Sequence, residues 1–159
     1  MDEKTKQYVL KLVRRAIETY VRTGRIISRP KDYPRELDEK RGVFVTINKI
    51  IYGKPELKGC VGLPYPTKPL IDGIIEAAVS ATKDPRFPPL AEDELDKIKI
   101  EVSILKEPKK IGGSAKEAFD KIVPFKHGVI IKKVLEARCF CLKFGTSYQK
   151  KKFFFLDFV

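Results

Sequence analysis

The sequence predicts an α+β domain, mainly antiparallel strands with two helices packed on the sheet. Three stretches carry that prediction. Residues 3–23 place Tyr8, Val9, Leu12, Val13, Ala16, Ile17, Tyr20 and Val21 at helical spacing. Residues 42–48 alternate Val43, Val45 and Ile47 with Phe44, Thr46 and Asn48, and residues 98–105 set Ile98, Ile100, Val102 and Ile104 against Lys99, Glu101 and Ser103. At 159 residues the chain can bury one real core but not two independent ones.

In chain order, the first helix turns Lys11, Arg14, Arg15, Glu18 and Arg22 to the face opposite its apolar stripe, and Gly24 suits the position just past its end. Pro30, Pro34 and mixed charges make residues 27–41 an irregular connection. The strand at 42–48 is apolar enough to be covered on both faces. Tyr52-Gly53-Lys54-Pro55 then turns the chain into a second extended run, a hairpin that delivers Leu57-Lys58-Gly59-Cys60-Val61-Gly62. After the bend Leu63-Pro64-Tyr65-Pro66, Thr67 is a suitable N-cap for a helix over 67–83, with Leu70, Ile71, Ile74, Ile75, Ala78 and Ala81 inward. Asp84 precedes Pro85 and is biased out of the helix, so 84–90 reads as a proline-stiffened loop. Past the strand at 98–105, residues 108–114 are turn-rich, 115–122 form a short helix and 129–132 a strand.

Composition bounds the function. Charged residues make up 34% of the chain, while Asn48 is the only asparagine and Gln7 and Gln149 the only glutamines, a bias expected of a heat-adapted protein. No signal peptide and no apolar span of membrane length is present, which predicts a soluble cytoplasmic protein. The net charge of +12 raises nucleic acid as a partner. The excess sits at the two ends: 15 basic against 8 acidic residues over 1–60, 11 against 11 over 61–127, and 7 against 2 over 128–159. No stripe interleaved with aromatics marks a nucleic-acid module, so a solvated basic surface is the default expectation.

The chemistry concentrates around Cys60. A thiol between Gly59 and Gly62 is sterically open, and a two-residue period puts Lys58 on the same face, where an ammonium favours the thiolate. The alternative is a small packed side chain. Asp84 and Arg86 either pair with each other, tying the loop down, or leave Arg86 to hold an anion, with Phe87 beside it. His127 is the only histidine, so any imidazole chemistry uses it, with a carboxylate such as Glu101 to orient it; otherwise it caps a turn. One histidine and three cysteines give no metal-ligand spacing and no disulfide framework. No glycine-rich phosphate loop, dinucleotide fingerprint or serine-hydrolase elbow calls for a cofactor.

The hexapeptide LKGCVG resembles the LRGCIG signature of the AMMECR domain family. The run Lys83 to Leu90, then Asp93-Glu94-Leu95, Glu101 to Leu105, and His127-Gly128-Val129 resemble that family in its order, over roughly residues 8–133. The resemblance implies an archaeal-type member with a larger and a smaller lobe and the cysteine segment near the cleft between them. It implies Cys60 and His127 as catalytic candidates, with Lys58, Gly59, Gly62, Asp84, Arg86, Phe87 and Glu101 around them. It also implies a Memo-type or radical SAM partner, to which some prokaryotic members are fused, and names no reaction. The alternatives are an enzyme or enzyme subunit using Cys60, a non-catalytic module presenting this surface to such a partner, and an RNA binder.

After Lys133 the resemblance stops. Arg138 to Phe144, back-translated with permitted codons and read one base earlier, gives Val-Leu-Leu-Pro-Gln-Val, which resembles the family's LLPQV run. Lys133 to Leu135 likewise yields Gly-Phe. This predicts one domain over 1–133 and a tail over 134–159 that arises from a shifted frame, so Cys139 and Cys141 are not read as a metal or redox pair. The alternative is a diverged tail whose Phe153 to Leu156 adds an edge strand. Loss of the family's C-terminal part would leave an apolar edge for association between copies of the chain.

Overall fold

The computed structural model describes residues 1–110, 127–133, 136–140 and 152–157, with side chains described for residues 1–109. The expected short helix over 115–122 lies outside the described residues, as do Cys141 and residues 111–114 of the expected turn-rich stretch over 108–114, of which Lys109–Lys110 form a strand. The chain divides into two compact units, Met1–Val102 and Ser103–Val159.

In the first unit, helix α1 spans Glu3–Thr23, as its periodicity predicts. Asp2 caps its start by accepting from the Thr5 amide at 2.7 Å, and Gly24 ends it with a left-handed φ of 69°. Val9, Leu12, Val13, Ala16 and Ile17 are its buried stripe. Burying each of the larger ones is worth about 1.5–3 kcal/mol against about 1 kcal/mol for the cap, so packing holds this helix more than local capping does. The opposite face is less uniformly solvated than the pattern predicts. Arg14 donates to the carbonyls of Leu95 and Ile98, at 2.8 and 3.2 Å, and so ties α1 to the short 3-10 turn Glu92–Lys97 and the strand after it.

Strands β1 (Val43–Ile51) and β2 (Lys54–Leu63) form the expected antiparallel hairpin. Its two-residue turn, Tyr52-Gly53, has φ of 49° and 76°, the left-handed pair that matches strand twist in such loops. Strand β3 (Ile98–Ile104) completes a three-stranded sheet in the order β2-β1-β3. Val43, Val45 and Ile47 on one face of β1 are completely buried, and Phe44, Thr46 and Asn48 on the other are buried too. The strand is therefore covered on both sides, as its composition predicts.

Helix α2 spans Leu70–Thr82, three residues later at its start than predicted from Thr67. Pro69 takes the cap position, and its carbonyl accepts from the Asp72 and Gly73 amides. The Leu70 amide is drawn to Glu39 instead, at 2.9 Å. The six predicted inward residues, Leu70 to Ala81, are all buried. α2 packs on β1 and β2, whereas α1 packs chiefly on α2 and the 92–97 turn and reaches the sheet through Arg14 at the start of the strand that follows that turn.

The second unit contains a four-stranded sheet in the order β4-β7-β5-β6, with β4 Lys109–Lys110, β5 His127–Lys133, β6 Glu136–Phe140 and β7 Lys152–Asp157. β5 pairs antiparallel with β6 and parallel with β7, so the phenylalanine-rich segment lies inside the sheet order and not at its edge. Helices beside antiparallel strands make the fold α+β.

Candidate functional site

Cys60 is placed by two close approaches of backbone to backbone. A Cβ on Gly59 would lie 2.1 Å from the Ala81 carbonyl oxygen near the end of α2, and a Cβ on Gly62 would lie 2.1 Å from the Val43 carbonyl oxygen of β1. Neither glycine has positive φ. They are required because β2 is pressed against α2 on one side of Cys60 and against β1 on the other, and any side chain would hold them apart.

That contact brings the residue following α2 to the thiol's backbone. The Cys60 amide donates to Asp84 Oδ2 at 2.8 Å, and Arg86 Nη2 donates to the Cys60 carbonyl at 3.1 Å. Asp84 and Arg86 also pair with each other in a fork, Nε to Oδ1 at 3.0 Å and Nη2 to Oδ2 at 2.7 Å, and the Arg86 amide adds a third bond to Oδ1 at 3.1 Å. Asp84 is 3% exposed, while the Arg86 side chain is 59% exposed and lies over the Phe87 ring at 5.5 Å. The Arg86 guanidinium holds the Asp84 carboxyl at about 2, against a burial penalty that acts the other way and with help from the Cys60 and Arg86 amides. The tie to Asp84, one of the two roles open to Arg86, is formed.

The thiol itself is half-buried and receives the Thr46 hydroxyl, Oγ1 to Sγ 3.1 Å, from the residue directly across on β1. Two residues along the same face of β1, Asn48 donates to Glu101 of β3 at 3.3 Å. Sequence reasoning named Cys60 and Glu101 but missed Thr46 and Asn48, although polar residues at alternate positions of a strand covered on both faces were the available signal.

Lys58 does not serve the thiol as its spacing suggests. The strand register shifts between Ile47 and Asn48: Ile47 faces Gly59 and Asn48 faces Leu57, leaving Lys58 as the extra residue of a bulge. Alternation does not carry across a bulge, and Lys58 Nζ reaches Glu94 Oε2 at 2.9 Å. Glu94 also takes Lys49, at 2.6 Å, and accepts from the Ala91 amide at 2.9 Å. Burial works against the charged form of Glu94, yet the Ala91 amide and the two ammonium groups outweigh it and hold the carboxyl at about 2.

The His127 imidazole lies outside the described residues; its backbone opens β5. Among the described residues no group of three or more His, Cys, Asp or Glu side chains can hold a metal ion, and no helix is long and apolar enough to cross a membrane.

Comparison with known proteins gives one consistent answer. The AMMECR1 family model matches residues 10–143. A protein of Thermococcus gammatolerans is 46% identical over 131 residues, covering 80% of this chain and 63% of its own length. The Methanopyrus kandleri protein MK0488 is 45% identical over 130 residues, covering 80% and 61%. The crystal structure of uncharacterized protein PH0010 from Pyrococcus horikoshii superposes with a TM-score of 0.80 at 41% identity, covering 86% of this chain and 68% of that one. The chain thus spans a little under two thirds of the length of these sequence relatives.

Proposed function

This chain belongs to the AMMECR1 family, and from that premise we propose that it is an enzyme or enzyme subunit whose reacting group is the Cys60 thiol, acting on a small metabolite or a modified protein side chain. The observation that carries the reading is the clamp: Asp84 and Arg86 bond the amide and the carbonyl of Cys60, and Thr46 bonds its sulfur. A reacting atom fixed through its backbone on both sides is preorganised, which is what a nucleophile needs and a packing residue does not. The Thr46 hydroxyl favours the thiolate, because a donor to the charged form stabilises it. His127 is retained as the proposed base. The test is alkylation of the folded protein by iodoacetamide in a Cys139→Ser, Cys141→Ser background, read by intact mass. Labelling under native conditions supports the reading, and labelling only in denaturant contradicts it.

A second reading rests on a different observation. Lys58, the cation closest to Cys60 in sequence, has its ammonium held by Glu94 at 2.9 Å and not by the thiol. A non-catalytic module presenting the 57–62 surface to a Memo-type or radical SAM partner, in the cytoplasm, would need no activated thiol. Binding of such a partner that survives Cys60→Ser and is lost with Arg86→Glu would favour it. Under either reading residues 134–159 are proposed to replace the family's C-terminal part through a shifted frame, with association between copies as a consequence. An unshifted gene giving the 18.2 kDa mass would overturn a sequencing error as the origin of the shift.

A further inference from the structure

The outward face of α1 carries a line of cations that the clamp and the Glu94 cluster leave unused. At 100° per residue, Lys4, Lys11, Arg15 and Arg22 fall within about 20° of one line along the helix. All four are exposed, and the line is about 27 Å long at 1.5 Å per residue. Arg22 pairs with Glu92 at 3.3 Å, but Lys4, Lys11 and Arg15 form no ion pair among the described residues. The acids beside the line are few: Asp2 caps the helix start and interacts with Lys4, Glu18 lies 3.7 Å from Arg14, and Asp32 lies by Tyr8, its carbonyl accepting from the Tyr8 hydroxyl.

A row of this kind complements a linear polyanion better than a folded acidic protein. Protein docking faces centre on a buried aromatic or aliphatic anchor within a polar rim. Here the exposed residue between Lys4 and Lys11 is Gln7, and the apolar stripe of Val9, Leu12, Val13, Ala16 and Ile17 is buried. Nor is there an exposed aromatic platform for stacking unpaired bases, since Tyr8 is half-buried with its hydroxyl engaged. We propose that the outer face of α1 binds the sugar-phosphate backbone of a nucleic acid without reading its sequence. The chain's net charge of +12 steers the encounter, and the four side chains make the contact.

The test uses the full chain and fluorescein-labelled RNA and DNA duplexes of about 16 base pairs, followed by anisotropy between about 50 and about 200 mM salt. Four phosphate contacts give a slope of log K against log salt of about −3 to −4 on the DNA duplex. Lys11→Glu with Arg15→Glu makes that slope shallower by about 2, as does the milder pair Lys11→Gln with Arg15→Gln. Lys54→Glu with Lys99→Glu, the same change in net charge at exposed positions on the sheet, leaves it unchanged. Equal losses in both pairs would mean bulk charge alone and overturn the proposal. Polyglutamate competing as strongly as either duplex would overturn it in favour of an acidic protein, and tighter binding of one duplex identifies the natural backbone.

Discussion

Asp84 and Glu94 are both buried carboxylates held at about 2, yet they organise the chain over different spans. Asp84 pairs with Arg86, two residues away in a proline-stiffened loop, and spends its remaining bonding on one distant group, the Cys60 amide. Glu94 collects Lys49 and Lys58 from two strands of the hairpin and fixes a bulge. The first cluster holds the backbone of Cys60, and the second sits at the bulge where the strand register shifts. The contrast explains why the thiol is held from the loop side while its sequence neighbour Lys58 is drawn off to the other cluster.

Breaking the first cluster gives the largest expected effect. Asp84→Ala leaves the Cys60 amide without its acceptor and Arg86 without its fork. The exposed guanidinium can rehydrate, so a loss on the order of 3 kcal/mol in urea melts is expected, below the full cost of stranding a buried charge. It should also change the alkylation rate of Cys60, which a purely structural loop residue would leave alone. Gly59→Ala tests the close approach that makes the clamp reachable. Its Cβ would meet the Ala81 carbonyl, and a loss of about 2 kcal/mol is expected, with no loss if β2 and α2 separate freely. Glu94→Gln keeps an acceptor but removes the charge facing two lysines, for a loss of about 1.5 kcal/mol and no direct effect on Cys60 chemistry.

Acid acts on both clusters in the same direction. Both carboxyls titrate lower in the folded chain than their ordinary values of 3.8 and 4.5, so the unfolded chain takes up protons first. Their stabilisation is fully present above about pH 4.5 and is lost as pH falls towards about 2. Chemical denaturation across that window should show a declining stability whose slope is reduced by Asp84→Asn and by Glu94→Gln, each alone. An unchanged slope in both variants would assign acid sensitivity to other groups. The smallest expected effect is Thr46→Val, under about 1 kcal/mol in stability, with its consequence in thiol reactivity instead.

What the sequence could tell follows the same division between local and distant. α1, the hairpin and the apolar positions of α2 were legible because helical and strand periods are written in neighbouring residues. The Asp84 and Arg86 pair was legible because two residues and three prolines confine it. Glu94 was not, because its lysines lie 45 and 36 residues away and meet it only after the sheet forms. Lys58 was misplaced for the same reason: a bulge is decided by the partner strand, and strict alternation has no way to register it. The glycines around Cys60 were recognised as special, but the close contacts with α2 and β1 that require them belong to tertiary packing. The start of α2 was read three residues early because Thr67 is a good cap in isolation, while Glu39, distant in sequence, fixes Leu70.

The clamp and Thr46 are proposed to hold Cys60 as a reactive thiol. The most direct measurement is the pH dependence of Cys60 alkylation in the folded Cys139→Ser, Cys141→Ser protein, with and without Thr46→Val. The expected rate is governed by a titration below the free-thiol range near about 8.5, moving back towards it when the Thr46 hydroxyl is removed. A thiol that reacts only once the chain unfolds would contradict it, and Cys60 would then be a packed side chain within a binding surface.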